Sequence, residues 1–534
     1  MKISFKYISY FLLFIMGVSM ALSSCTSDLD VTPGDDDEFL SETFFQDPAS
    51  YKQVLAKLYA GLYVGGNDGD GAADIAGIGG DFSSYLRLLF VTQEFPTDEA
   101  IIAWADGTLP TLNAQTWSPA NEFLEGTYSR AFYHISVANE FLRQTTDEKL
   151  TARGVDAGLK AEIATFRAEA RFLRAFSYYN LMDLFGNVPI TTEKDPVGFF
   201  YPEQKTRAEV FAFVESELID LDSSLADSRS NEYGRIDKTA AKFLLAQVYL
   251  NAQVYIGEDK FSEVATLTNE IITSSNYTFA PVYKNIFSAD NDRNGAQNEV
   301  IFPIVGDGNA IRATGGGMSF IMHASIGGSM DAASRGMDGG WQGIRTRREF
   351  VNLFPDANGI ADKRGLFYTD GQSLDINNVG TFTDGYAVTK YINKNADGTA
   401  AQRNDIPDID FPMFRLTDAY LMYAEATLRG AATGNIATSL GYVNKIRARA
   451  NATAITTADL TLDFLLDERG RELFWECHRR TDLIRFGKFT GSAKIWQWKG
   501  GSMNGNSTAS YRDLMPIPAR NIQANPTLKQ NPGY

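Results

Sequence analysis

The chain has 534 residues, 44% of them hydrophobic and 12% aromatic, enough apolar side chain to build a sizeable core, so disorder is excluded as the default. A formal net charge of -17 excludes nucleic acid and anionic lipid headgroups as electrostatic partners, since like charge repels both. With only Cys25 and Cys477, neither a disulfide framework nor a cysteine metal site is available.

Lys2 and Lys6 open the chain, and an apolar run extends from Ile8 to Leu22. That pairing of a charged n-region with a short apolar segment predicts a secretory signal rather than a membrane span. The run closes on Leu22-Ser23-Ser24-Cys25, which is similar to a bacterial lipobox, where small residues precede the cysteine that receives the lipid. Residues 1–24 are expected to be removed and Cys25 to carry the acyl chain; an ordinary signal peptide with a chance cysteine is the alternative. Losing Lys2 and Lys6 makes the chain still more acidic, so the lipid rather than a basic patch would hold it at a membrane. Residues 25–40, with Asp28, Asp30, Asp35, Asp36, Asp37 and Glu38, read as a solvated tether, because too little apolar surface is present to offset ordering. Residues 41–534 are expected to form one domain, since no linker of convincing length interrupts them.

Helical stretches dominate the remainder of the chain: Tyr51 to Tyr63, Tyr128 to Leu142, Thr239 to Tyr255, Phe261 to Ile272 and Phe414 to Arg429. Between the second and third of these, Ile163, Phe166, Ala170, Leu173 and Phe176 recur three and four residues apart with charged residues between them. This is the pattern of one buried stripe, and Gly186 and Pro189 end it. Another stripe, Leu466, Leu473, Cys477 and Ile484, predicts a helix from Asp463 to Phe486 capped by Gly487, with Asp467/Arg471 and Glu476/Arg480 spaced as i,i+4 pairs. Ala241, Ala246 and Ala252 among bulky neighbours predict closely stacked helices. Residues 64–120 and 288–412 are rich in Gly, Asn, Asp and Thr and read as loops, with short strands at Val300-Ile301-Phe302 and Tyr386 to Ile392. Loops this long are usually functional.

Several segments together resemble the SusD/RagB family of outer-membrane nutrient-binding lipoproteins. They are the lipobox cysteine followed by Asp28 and Asp30, Phe172-Leu173-Arg174-Ala175-Phe176 leading to Asp183-Leu184-Phe185-Gly186-Asn187-Val188-Pro189, and Asp418-Ala419-Tyr420-Leu421-Met422-Tyr423-Ala424-Glu425-Ala426. Glu468-Arg469-Gly470-Arg471-Glu472-Leu473 and the closing Leu514-Met515-Pro516-Ile517-Pro518, Asn525-Pro526 and Asn531-Pro532-Gly533-Tyr534, the most specific element, complete the set. The resemblance spans nearly the whole mature chain and is weakest over residues 195–231. It implies a mainly α fold of four tetratricopeptide-like helix pairs packed against a loop-rich, irregular half with few short strands. It also implies an outer-membrane protein facing the cell exterior, which holds a glycan above a SusC-like TonB-dependent transporter.

Sugar recognition needs a flat apolar face for ring C–H groups and polar partners for hydroxyls. The loop Pro96 to Gly107 resembles a family segment of the binding face, and it offers Trp104 as a stacking platform with Asp98 and Asp106 as hydroxyl acceptors. A second loop, Asp338-Gly339-Gly340-Trp341-Gln342-Gly343, also matches a family segment near the ligand and offers Trp341, with His323 upstream. For each indole the competing expectation is burial in the core, as for Trp117; Trp496 and Trp498 read as packing.

Catalytic signatures are missing from the sequence. His134, His323 and His478 are scattered, and the chain has no HExxH, nucleophile, GxxxxGK[ST] or GxGxxG motif. No cofactor is expected, and no metal: Asp290-Asn291-Asp292-Arg293-Asn294-Gly295 starts like a calcium loop, but its twelfth position is Ile301 rather than the closing Glu, so it reads as a turn. The readings left open beside glycan binding are a helical-repeat lipoprotein that binds peptide or protein and a lipid-anchored glycosidase, for which paired carboxylates cannot be told from chance among 66 acidic residues.

Overall fold

The long apolar stripe becomes a 29-residue helix, Ala157–Phe185, in the computed structural model, which describes residues 41–66 and 73–534. Asp156 caps it by accepting from the N–H groups of Gly158 and Leu159. Gly186, at φ 72°, ends it and donates to the Met182 carbonyl, a left-handed exit that costs glycine little. Val188–Pro189 then pairs antiparallel with Gln204–Lys205.

Helices succeed one another side by side. Glu122–Gln144 packs on Ala157–Phe185, which packs on Arg207–Asp220; Lys238–Leu250 comes next, then Phe261–Ser274, Leu416–Leu428 and Ile436–Arg449. Ala241, Ala246 and Ala252 are buried between them, as close approach requires. The result is the expected mainly α scaffold of tetratricopeptide-like helix pairs. Against it lies the loop-rich half, crossed by two-stranded ladders: Ile101–Ile102 with Ile344–Arg345, Val300–Ile304 with Phe411–Arg415, and Phe367–Tyr368 with Ala387–Val388. The strand expected from Tyr386 to Ile392 is thus only two residues long.

Several elements depart from the sequence expectation, among them the helix Gly317–Ala324 inside the second stretch read as loop. Inside the first such stretch, Tyr85–Glu94 is a helix with all ten residues buried; burial on every side removes the polar face that reveals a helical period. The helix expected from Asp463 to Phe486 breaks into Leu462–Leu473 and Arg479–Arg485, with Trp475 at φ 61° and Cys477 at φ 65° between them. The break is held from outside the segment: Glu99 Oε2 accepts from the Trp475 N–H at 3.1 Å and Glu94 Oε1 from the Cys477 N–H at 2.7 Å. The expected i,i+4 pairs are replaced accordingly. Arg471 binds Glu468, Glu476 binds Lys390 and Arg415, and Arg480 binds Asp183. Gly487 does take the left-handed conformation after the last turn, at φ 66°.

A buried ionic network joins the two halves. Arg364 reaches Glu468 at 2.9 Å and Glu472 at 3.2 Å, and Arg415 reaches Glu472 at 2.7 Å and Glu476 at 2.6 Å. Arg449 bridges Glu299 at 2.7 Å and Glu472 at 2.5 Å. Charges so deeply withdrawn from water are tolerated only as pairs, so the network fixes which faces meet.

Among the described residues, those up to Ser50 and those from Tyr51 onward fall into separate packing units. In the first, the described part holds the short helix Ser41–Phe44, and Ser50 Oγ donates to the Phe44 carbonyl at 2.6 Å. The signal, Cys25 and the acidic tether lie outside the described residues. Among the described residues no helix is long and apolar enough to cross a membrane.

Candidate functional site

Trp104 and Trp341, 237 residues apart in the chain, meet because their loops are tied together by backbone hydrogen bonds. Ile101–Ile102 pairs with Ile344–Arg345, and the Ala103 N–H donates to the Gly343 carbonyl at 2.8 Å. The second loop is pinned in turn along the end of the helix Gly317–Ala324. The N–H groups of Trp341, Gln342 and Gly343 donate to the carbonyls of His323, Ile326 and Ala324 at 2.7, 2.9 and 2.8 Å. With both backbones fixed, Trp104 Nε1 donates to the Trp341 carbonyl at 3.0 Å. The two rings stand 6.3 Å apart with their planes at 45°.

The aromatic cluster continues inward. His323 stacks on Trp341 at 4.4 Å and 12°, while Phe320 lies 6.0 Å from Trp104. The buried His323 ring is oriented by its Nδ1, which donates to the Ser319 carbonyl at 2.9 Å, and its Nε2 lies 3.3 Å from Asp338 Oδ1. Trp341 is 37% exposed and Trp104 is half-buried. Gly343 makes the approach possible: a Cβ there would sit 2.8 Å from two carbons of the Trp104 ring.

Of the residues singled out in the sequence, Trp104, Trp341 and His323 therefore converge, and Asp106 lies exposed two positions beyond Trp104. Asp98 does not join them. It is 0% exposed, and its two oxygens accept from Arg479 Nε and Nη2, each at 2.7 Å, with Lys494 Nζ at 3.0 Å. Burial alone would raise its pKa, but these two cations outweigh burial and hold it well below the ordinary carboxylate range. The expected hydroxyl acceptor is instead an anchor for the loop that carries Trp104. Trp117, Trp475 and Trp496 are interior, and Trp498 is half-buried with its Nε1 donating to the Ile376 carbonyl at 2.9 Å.

Beneath the loop are groups that no local motif announces. Arg347, fully buried, donates to the carbonyls of Thr97, Ala100, Asn113 and Gln497, and burial pulls its pKa down to about 9. Arg345 likewise donates to the carbonyls of Gly343, Val379 and Asp384. These guanidiniums clamp backbone; the only hint in the sequence is their alternation in Ile344-Arg345-Thr346-Arg347. Glu94 and Glu99, buried side by side, are both pushed above the ordinary range, chiefly by desolvation; the charge of Glu94 raises Glu99 further.

The fold is that of the SusD superfamily. A SusD superfamily protein from Parabacteroides distasonis superposes with a TM-score of 0.70 at 21% identity, covering 93% of this chain and 100% of that one. Surface glycan-binding protein A from Bacteroides thetaiotaomicron, solved in complex with laminarihexaose, gives 0.65 at 21% identity over 90% and 98%. In sequence, residues 362–534 match the SusD family model, and residues 83–250 match the model described as starch-binding associating with outer membrane. The starch-binding protein SusD of Bacteroides thetaiotaomicron is 34% identical over 97% of both chains, and the SusD-like protein P25 of Formosa agariphila is 25% identical over 92% and 94%. The chain belongs to the SusD/RagB family.

Proposed function

We propose that this protein is a lipid-anchored receptor of the outer membrane, facing the cell exterior, that binds an oligosaccharide and passes it to a SusC-like TonB-dependent transporter. The observation that carries the reading is the Trp104–Trp341 pair, two partly exposed indoles held by backbone hydrogen bonds at a 45° angle. Indole faces suit the C–H faces of sugar rings, and two planes at an angle suit a chain whose successive rings turn. Asp106 and Asp338, both exposed, stand at the rim as hydroxyl acceptors. No step of bond cleavage is assigned to the site. Full-length similarity to a protein named as starch-binding makes an α-glucan the first ligand to test. A shared fold with a laminarihexaose-bound protein makes a β-glucan the comparison.

The test is calorimetry on residues 26–534 with maltoheptaose and laminarihexaose. Saturable binding is expected, and Trp104→Ala and Trp341→Ala should each weaken it by about tenfold, taking a stacking contribution of roughly 1 to 3 kcal/mol by analogy with base stacking. Unchanged affinity in both variants removes this face from the binding surface. Recovery of peptide but no glycan from a screen of both would favour the helical-repeat scaffold instead.

A further inference from the structure

The loop Asp338 to Gly343 holds three glycines and one residue at positive φ, and the two do not coincide. Gln342 occupies the left-handed position, at φ 53°, a conformation that glutamine rarely adopts. The glycines serve close approach instead: a Cβ on Gly340 would lie 2.4 Å from the Ile326 carbonyl oxygen, and one on Gly343 would lie 2.8 Å from the Trp104 ring. Glycine is thus plentiful in this loop yet not used at the one position whose backbone calls for it.

The turn is fixed rather than loose. Three consecutive N–H groups, those of Trp341, Gln342 and Gly343, are bound to carbonyls of residues 323–326. The Gln342 side chain, exposed, lies over Gly327, where an added Cβ would come within 2.5 Å of its Cγ. Its side-chain amide has no hydrogen-bond partner among the described residues, while Asp338, at the other end of the loop, already faces His323 Nε2. The chain therefore keeps a strained glutamine next to the exposed indole, with a donor and an acceptor both unspent.

We propose that Gln342 is a specificity-determining residue of the Trp341 subsite. Its amide donates to one hydroxyl and accepts from the neighbouring one, so the subsite takes a sugar ring with two adjacent free hydroxyls. This inference rests on the glycan-binding reading above.

The experiment is calorimetry and thermal melting of wild type, Gln342→Gly and Trp341→Ala, with maltoheptaose and with maltoheptaose methylated at O2 as probes. Gln342→Gly should bind maltoheptaose about five- to tenfold more weakly, the loss of one or two modest hydrogen bonds. Its melting temperature should equal or exceed that of wild type, because glycine accepts the left-handed backbone without strain. Wild type should prefer maltoheptaose over the methylated probe, and the variant should lose that preference. If Trp341→Ala loses affinity while Gln342→Gly binds and discriminates as wild type does, this inference falls and the site stands. If wild type binds neither probe this inference falls, and if Trp341→Ala and Trp104→Ala both bind maltoheptaose as wild type does, the site reading falls with it.

Discussion

Asp98→Asn separates the residue's expected role as a ligand contact from its observed role as an interior anchor. The carboxylate is fully buried and takes two 2.7 Å bonds from Arg479, with Lys494 at 3.0 Å. The amide keeps the shape and removes the charge, leaving the Arg479 guanidinium with the Leu466 carbonyl at 3.1 Å and a longer 3.5 Å contact to Glu99. Breaking a buried ion pair from one side costs about 3 to 5 kcal/mol. Because the Leu466 carbonyl and the new amide oxygen still accept from Arg479, the lower figure applies, about 3 kcal/mol or roughly a hundredfold in the folded-to-unfolded ratio. Urea unfolding of wild type and variant, monitored by fluorescence, reads this loss, and maltoheptaose titration well below the transition should give an unchanged affinity. A stability change below about 1 kcal/mol, typical of exposed pairs, would refute the burial argument. A stable variant with lost affinity would place Asp98 on the ligand after all.

Three other outcomes are expected from the structure. Gly343→Ala puts a methyl group 2.8 Å from the Trp104 ring and should lower maltoheptaose affinity about as much as Trp104→Ala does while costing about 1 to 3 kcal/mol of stability, the usual overpacking cost; wild-type affinity would show that the ring need not hold its place. The carboxyls of Glu94 and Glu99 are raised above their ordinary range by burial, so the folded state binds a proton that the unfolded chain releases near pH ~4.3. The pair's contribution is complete below that value and is lost as pH rises through the raised folded-state range. Glu94→Gln mimics the protonated form, and its melting temperature relative to wild type should climb between pH 5 and pH 8; a difference independent of pH would exclude a shared proton. Finally, Cys25→Ala should abolish incorporation of labelled palmitate and release the protein from the membrane fraction, whereas continued labelling would end the lipobox reading.

The fold is legible where a helix keeps one wet face. Ala157–Phe185 shows its stripe and its Gly186 stop in the sequence, whereas Tyr85–Glu94 is buried all round and offers no period to read. The break at Trp475 to Cys477 is hidden for another reason: the carboxylates that hold it come from Glu94 and Glu99, more than 370 residues away, and the local pattern continues straight through. The site divides in the same way. Trp104 and Trp341 stand out through resemblance and residue type, but an acidic residue in a loop reads the same whether it meets a sugar or an arginine 381 positions downstream, so Asp98 draws the wrong assignment. Gln342 escapes notice because its conformation, not its identity, marks it.

His323 lies flat against Trp341, so that indole has one free side. A guest can lie against that ring on one face but is never sandwiched by it and His323. At ordinary association rates of about 10⁵ to 10⁷ M⁻¹ s⁻¹, a complex with a dissociation constant of ~10 µM would live for about 10 ms to 1 s. A short dwell would suit the hand-over proposed above, since cargo released quickly never delays the next step.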